Sequence, residues 1–221
     1  MQNLIIDSRI REIEYEYLKQ YFNVIKLPLS DEVYEEISGH SDIFYCRIDN
    51  KIIAAPNAPI NDSLSIAIGQ KAVGKTYPDD VLYNACQIGN KVVGSKYTDE
   101  SIKLDILVKQ GYVKCSVCVT GSNSCITTDK GIEKTLSENG IEALFIEEDD
   151  IKLLKKDRTV SSMKGFIGGA TFVFDGKFVL FGDIDNLSNK AKVLEHLKRH
   201  KLELVDFKGL DIYDYGGGLI I

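Results

Sequence analysis

Apolar and polar positions along the chain fall into short β-type runs that come in pairs. Ile43–Pro56 reads IFYCRIDNKIIAAP, Ala85–Ser95 reads ACQIGNKVVGS, Lys114–Thr127 reads KCSVCVTGSNSCIT and Ala170–Phe181 reads ATFVFDGKFVLF. Each joins two β-branched or aromatic runs through a turn pair: Asp49-Asn50, Gly89-Asn90, Gly121-Ser122 and Asp175-Gly176. Such pairs tolerate the positive φ that tight hairpin turns require. Recurrence at roughly 30–50 residues predicts a repeat architecture. A ring of hairpins would enclose a central cavity, and the chemistry is expected to line it.

Helical patterns are predicted between the hairpins, over Asp31–Ile37, Lys130–Asn139 and Asn189–His200. The second stops at Gly140, a residue that readily takes the left-handed conformation ending a helix. The third places Ala191, Leu194 and Leu197 on one stripe. Strands are expected after these two helices, over Glu142–Ile146 and Leu202–Phe207, so the unit reads hairpin, helix, strand. A fifth hairpin is expected to be split between the chain ends, Asn3–Ile6 pairing with Gly218–Ile221. Such pairing would close the ring and remove exposed sheet edges. The alternative is that the ends are unrelated strands of an ordinary α/β sheet. Residues 1–221 read as a single domain.

Charge and composition narrow the partners. A net charge of −6 argues against nucleic acid and suits a small cationic molecule. No apolar run approaches the ~20 residues of a membrane span. The start, MQNLIIDSRIRE, lacks a cationic head with an apolar stretch behind it, so no secretory signal is expected. Five cysteines, an odd number, then point to reduced thiols and a cytoplasmic setting.

Gly69–Thr76 (GQKAVGKT) matches the phosphate-loop pattern GxxxxGK[ST], in which backbone N–H groups and a helix N-terminus cradle phosphate. Pro78 suggests a later helix start, with Asp79 and Asp80 at its N-terminus, where they would repel phosphate. Cys115 and Cys118 form a CxxC, but in a strand their sulfurs would point to opposite faces. No second cysteine pair completes a zinc set, so no metal is expected there, and Cys118 and Cys125 are predicted to be packed core thiols. In extended chain His40 and Asp42 share a face, which suits a general base and a carboxylate working in one cavity. Gly165–Gly169 (GFIGG) and Asp214–Gly218 (DYGGG) each precede a strand, where clustered glycines let backbone approach a centre closely.

Three of these elements follow one another in a recognisable order: His40-x-Asp42 with an apolar hairpin, Tyr83-Asn84-Ala85 with Gly89 and a strand, and Gly111–Val117 (GYVKCSV). This order resembles the C-terminal half of the pentein superfamily. Its guanidino-group-modifying enzymes include dimethylarginine dimethylaminohydrolase, arginine deiminase and the amidinotransferases. The resemblance implies an α/β fold, a five-bladed ββαβ propeller. It implies Cys115 as nucleophile and His40 as catalytic base, with Gly217-Gly218 matching a glycine pair that sits beside a substrate-holding acid. Two departures go with it. More than 100 residues follow Cys115, where family members carry this cysteine near the C-terminus, so the order would be circularly permuted. Tyr215 and Gly216 stand where the acid beside the glycine pair is expected, with Asp214 displaced, and Ile167 precedes Gly168-Gly169.

The guanidinium carbon is a poor electrophile, and an activated cysteine is the side chain best suited to attack it. The expected reaction is that of a hydrolase or transferase acting on a guanidino or amidino compound. Lys114 and His40 would supply positive field, and Asn84 would join the substrate site. Asp42, with Asp129, Asp183 or Asp214, would hold the cation by charge-assisted hydrogen bonds. No metal or organic cofactor is expected. The alternatives are a non-catalytic binding module of the same fold and a nucleotide-binding protein acting through Gly69–Thr76.

Overall fold

The computed structural model describes residues 1–60 and 66–221. These residues form a mixed α/β structure with six three-stranded sheets among them. Five sheets repeat one topology: two antiparallel strands, the second of which also pairs in parallel with a third. The first unit is Tyr45–Ile48, Lys51–Ala54 and Ile66–Ile68. The second is Cys86–Ile88, Lys91–Ser95 and Ile106–Val108. The third is Val117–Gly121, Ser124–Thr127 and Glu142–Phe145, with helix Lys130–Glu138 before its last strand. The fourth is Thr171–Phe174, Lys177–Leu180 and Glu203–Val205, with helix Lys190–Arg199.

The fifth unit is assembled from both chain ends. Leu219–Ile220 pairs antiparallel with Gln2–Asp7, in the register Leu4 to Ile220 and Ile5 to Leu219. Gln2–Asp7 then pairs in parallel with Phe22–Leu27, across helix Glu12–Leu18. The split hairpin expected from the two apolar ends is therefore present, as are all four continuous ones. Asp49, Gly89 and Asp175 turn at φ of 52°, 58° and 43°, as tight hairpins require.

Other expectations need correction. Asp31–Ile37 is not an α-helix; only Glu35–Ile37 forms a 3-10 turn. Ser38 closes that turn at once, its hydroxyl donating to the Glu35 carbonyl at 2.7 Å. Among the described residues the first and second units have no helix before their third strand, so hairpin, helix, strand holds for three units of five. The helix Glu12–Leu18 was not anticipated. Nor was the sixth sheet, in which Ile151–Leu154 lies between Val160–Lys164 and Ile212–Tyr213.

Buried apolar side chains join each unit to the next. One cluster links Ile5 and Leu27 of the fifth unit to Phe44 and Ile52 at the first and Val92 of the second. Others link Ile88 and Val93 to Cys125 and Ile132, and Cys118 and Ile126 to Phe178 and Leu180. The last links Phe172 and Val179 of the fourth unit to Leu4 and Ile6 of the fifth. Leu4 and Ile6 thus enter one cluster and Ile5 the other, the alternation of a strand buried on both faces. Each such side chain is worth about 1.5–3 kcal/mol when fully buried. Among the described residues no helix is long and apolar enough to cross a membrane.

Candidate functional site

Polar residues concentrate just before the first strand of each unit. A helical turn, Ser41–Phe44, precedes Tyr45, and another, Val113–Ser116, precedes Val117. Asn84 lies two residues before the second unit's first strand, Gly168 and Gly169 precede the fourth, and Asp214–Gly218 leads into the fifth. The helical turn at Ser41 corrects the extended reading of His40 and Asp42. His40 is the extended N-cap residue and Asp42 is already helical, so their side chains diverge.

A cavity of about 300 Å³ opens among these turns. Its wall takes residues from the first strand of all five units: Tyr45, Cys86, Val119, Phe172 and Leu219 are examples. The turns add Asp42, Lys114 and Gly216. Behind Asp42 of this wall sits the Cys115 thiol, 2 % exposed and not itself a lining residue. Its sulfur donates to Asp42 Oδ2 at 3.1 Å and accepts from Asn84 Nδ2 at 3.0 Å. Asn84 Oδ1 also accepts from the Cys115 backbone N–H at 3.1 Å, while Asn84 Nδ2 donates to the Asp42 carbonyl at 2.9 Å. One amide thus ties the Asp42 backbone to the Cys115 backbone and thiol.

Burial governs the protonation states. It pushes the Asp42 carboxyl up to about 6, against the opposing pull of Lys114. It pushes Asp214 up to about 7, with repulsion from Asp42 adding to the effect. Burial and the charges of Asp42 and Asp214 hold the Cys115 thiol well above its ordinary value, so the resting sulfur is a neutral thiol. Lys114 Nζ, half-buried on the cavity wall, donates to the Gly168 carbonyl at 3.2 Å.

His40 lies between two carboxylates rather than beside the thiol. Its Nε2 is 3.9 Å from Asp7 Oδ2 and its Nδ1 is 3.7 Å from Asp214 Oδ1. Neither ring nitrogen has a hydrogen-bond partner among the described residues. Burial, then the nearby Arg9 guanidinium, holds the ring well below its ordinary value and therefore neutral. Asp214 is fixed by the N–H groups of Phe166 at 2.8 Å and Gly216 at 2.9 Å. Two glycines make this closeness possible: a Cβ on Gly169 would run into the Asp214 carboxylate, and one on Gly168 into the Cys115 carbonyl.

Residues 5–220 match a family of unknown function, DUF6873. The chain belongs to the DUF6873 family. No curated protein matches it. The matched span takes in every site residue described above, so the cavity lies wholly within the DUF6873 region.

In this DUF6873 chain two predicted acids serve elsewhere. Asp129 caps helix Lys130–Glu138, accepting from Ile132 N–H at 2.8 Å. Asp183 accepts from Asp185 N–H at 2.9 Å and Gly209 N–H at 2.7 Å, and those backbone bonds hold it down at about 2. Neither lines the cavity. The other six predicted residues, Cys115, His40, Asp42, Asn84, Lys114 and Asp214, cluster behind the cavity, but only Asp42 and Lys114 line it. Gly69–Thr76 is followed by turns, and no helix begins directly after it. Its Gln70 and Lys71 N–H groups already donate to the Asp99 carboxylate, at 3.2 and 2.9 Å, so the chain's own acid occupies what a phosphate would use. Cys115 sits on a helical turn and Cys118 on the following strand, and both are buried. Sequence reasoning missed Asp7 and Arg9. Their signal was an apolar run, Leu4-Ile5-Ile6, that ends in an acid with an arginine two residues on.

Proposed function

We propose that the five repeated units are the blades of a closed five-bladed ββαβ propeller of the pentein kind, in circularly permuted order. We propose further that it is a cysteine-dependent hydrolase or transferase acting on a small guanidino or amidino compound. The propeller reading is supported by the apolar clusters, which link each unit to the next and the fourth to the fifth. It is supported also by a cavity walled by the first strand of every unit. The five free, buried cysteines fit a reducing, cytoplasmic setting.

The observation that carries the functional reading is the Cys115 sulfur hydrogen-bonded to Asp42, a buried residue of that cavity's wall. Two buried carboxylates with raised pKa values favour a planar cation that donates several N–H bonds. Such a cation would lower both carboxyl pKa values and the thiol's, because opposite charge favours each ionised form. Cys115 would then attack the amidinium carbon, with Asp42 placed to accept the thiol proton. Collapse of the tetrahedral adduct expels an amine, to which Asp42 returns the proton it took from the thiol, and water or an acceptor amine releases the group from sulfur.

Burial of Cys115 favours a second reading, a binding module without catalysis. Alkylation separates the two. Chloroacetamidine is cationic and chloroacetamide is neutral, and both alkylate thiols. If the site draws cations to Cys115, chloroacetamidine labels it about tenfold faster or more, the worth of one charge-assisted hydrogen bond. Peptide mass spectrometry reads the labelled cysteine. Equal rates for the two reagents, or labelling elsewhere, would overturn the catalytic reading.

A further inference from the structure

A second polar cluster lies outside the cavity, where the helix of the fourth unit meets the sheet of the third. His196 and His200 stand one helical turn apart on the Lys190–Arg199 helix and its C-cap. Glu142 faces them from the strand Glu142–Phe145, paired in register with Ser124. His196 is fully buried and its Nδ1 has no partner; the buried Nε2 of His200 likewise accepts and donates nothing. Both orphaned nitrogens face the same carboxylate. His200 Nε2 is 3.3 Å and His196 Nδ1 4.0 Å from Glu142 Oε1. All three ligand atoms lie within 4.8 Å of one another.

We propose that Glu142, His196 and His200 bind one divalent transition-metal ion of the zinc type, which ties the third unit to the fourth. Two atoms each ~2.05 Å from a tetrahedral ion stand about 3.3 Å apart, so the cluster needs only slight contraction to ligate. The outer nitrogens of the two rings are already held as metal-binding histidines are. His196 Nε2 is 2.8 Å from the Thr120 hydroxyl and His200 Nδ1 is 3.3 Å from the Ser124 hydroxyl. The two hydroxyls are 3.0 Å apart. When each ring N–H donates outward to its hydroxyl, Nδ1 of His196 and Nε2 of His200 present their lone pairs to the ion. Two imidazoles and one carboxylate suit zinc and its neighbours, whereas calcium and magnesium select oxygen sets. Glu142 and His200 are partly exposed, 43 % and 20 %, which gives the ion a route in and leaves a position for water. Arg199 Nη1 holds the same Glu142 oxygen at 2.9 Å from an exposed side chain, and the incoming ion displaces it.

The test uses the untagged, chelator-treated full chain, titrated with Zn²⁺ by calorimetry and with Co²⁺ by visible absorption. The expected result is one ion per chain, with a Kd of about 1 µM or tighter, and a rise of several degrees in Tm with Zn²⁺. His200→Ala and Glu142→Gln, both at partly exposed positions, each weaken binding at least tenfold. Thr120→Val, which removes the hydroxyl behind His196, weakens it by about 10–100-fold. Binding undiminished in His200→Ala and Glu142→Gln overturns the proposal. So does a cobalt spectrum dominated by thiolate charge transfer, or no saturable binding up to 100-fold above the expected Kd.

Discussion

On one side of His40 the Asp7–Arg9 pair is buried and fully satisfied; on the other, Asp214 has its bonds, but Asp42 on the Cys115 thiol is buried with one carboxylate oxygen unpaired. Arg9 is 2 % exposed and uses all three guanidinium nitrogens. It donates to Asp7 through Nε at 3.0 Å and Nη2 at 2.6 Å, and to the carbonyls of Glu35, Glu36 and Leu154. Across the ring, Asp42 Oδ1 and both His40 nitrogens lack partners among the described residues. A buried polar atom left unpaired costs about 1–3 kcal/mol. The first group therefore belongs to the frame, whereas the second keeps an energetic debt that a bound cation could relieve. The two are coupled, since the Arg9 charge helps hold His40 neutral.

The largest effect tests the frame. Arg9→Met strands the Asp7 carboxylate and three carbonyls at once. Removing one partner of a buried ion pair costs about 3–5 kcal/mol, so the urea midpoint should fall sharply at neutral pH. Asp7→Asn added to Arg9→Met should recover part of the loss, because the uncompensated charge is gone. A loss below about 1 kcal/mol in the single variant would show that the satisfied cluster is not the frame.

How much of this was legible in sequence depended on how local each signal is. The four continuous hairpins carried their own period of two and their own turn residues. The split hairpin was legible because both ends are apolar and Gly218 opens the last run. Cys115, Asn84 and Asp42 stood in short motifs whose order pointed to one site. The helical turn at Ser41–Phe44 was not legible, because four residues give no periodicity. Asp129 was read as a cation holder although it directly precedes a predicted helix, the place where an acid caps backbone N–H groups. Asp7 and Arg9 act through carbonyls remote in sequence, Leu154 among them, and no local pattern announces such partners. His196 and His200 have helical i, i+4 spacing in the chain, but their carboxylate comes from the preceding unit.

A smaller effect tests the unsatisfied side. The Asp42 carboxyl is raised from 3.8 to about 6 in the folded protein. A raised folded pKa gives stability that is fully present below the unfolded value and is lost as pH rises through the folded one. Wild-type protein therefore loses this contribution between pH 4 and 6. Asp42→Asn is nearly isosteric, keeps an acceptor for the Cys115 thiol and never ionises. Relative to wild type it should gain up to roughly 3 kcal/mol between pH 4 and pH 8, read from urea midpoints at both. The contribution of His40 has the opposite sign, being present above its ordinary pKa and lost on acidification, and it cancels in the difference between variants. The same substitution should remove the preference of Cys115 for chloroacetamidine. A variant less stable than wild type at pH 8 would mean that Asp42 is part of the frame.

The smallest effect bounds the site from outside. Asp129 is an acid of the same type as Asp42, but its carboxylate is already engaged by the Ile132 N–H. Asp129→Ala should cost about 1 kcal/mol, the usual worth of a helix N-cap. Its carboxylate also accepts from Gln110 Nε2 at 3.3 Å, a weak contact that adds little. Because Asp129 lies off the cavity wall, chloroacetamidine labelling of Cys115 should be unchanged at a temperature where the variant stays folded. A slower labelling rate in a fully folded Asp129→Ala protein would extend the cation-holding group beyond Asp42 and Asp214, and the cluster around Cys115 would no longer mark the edge of the site.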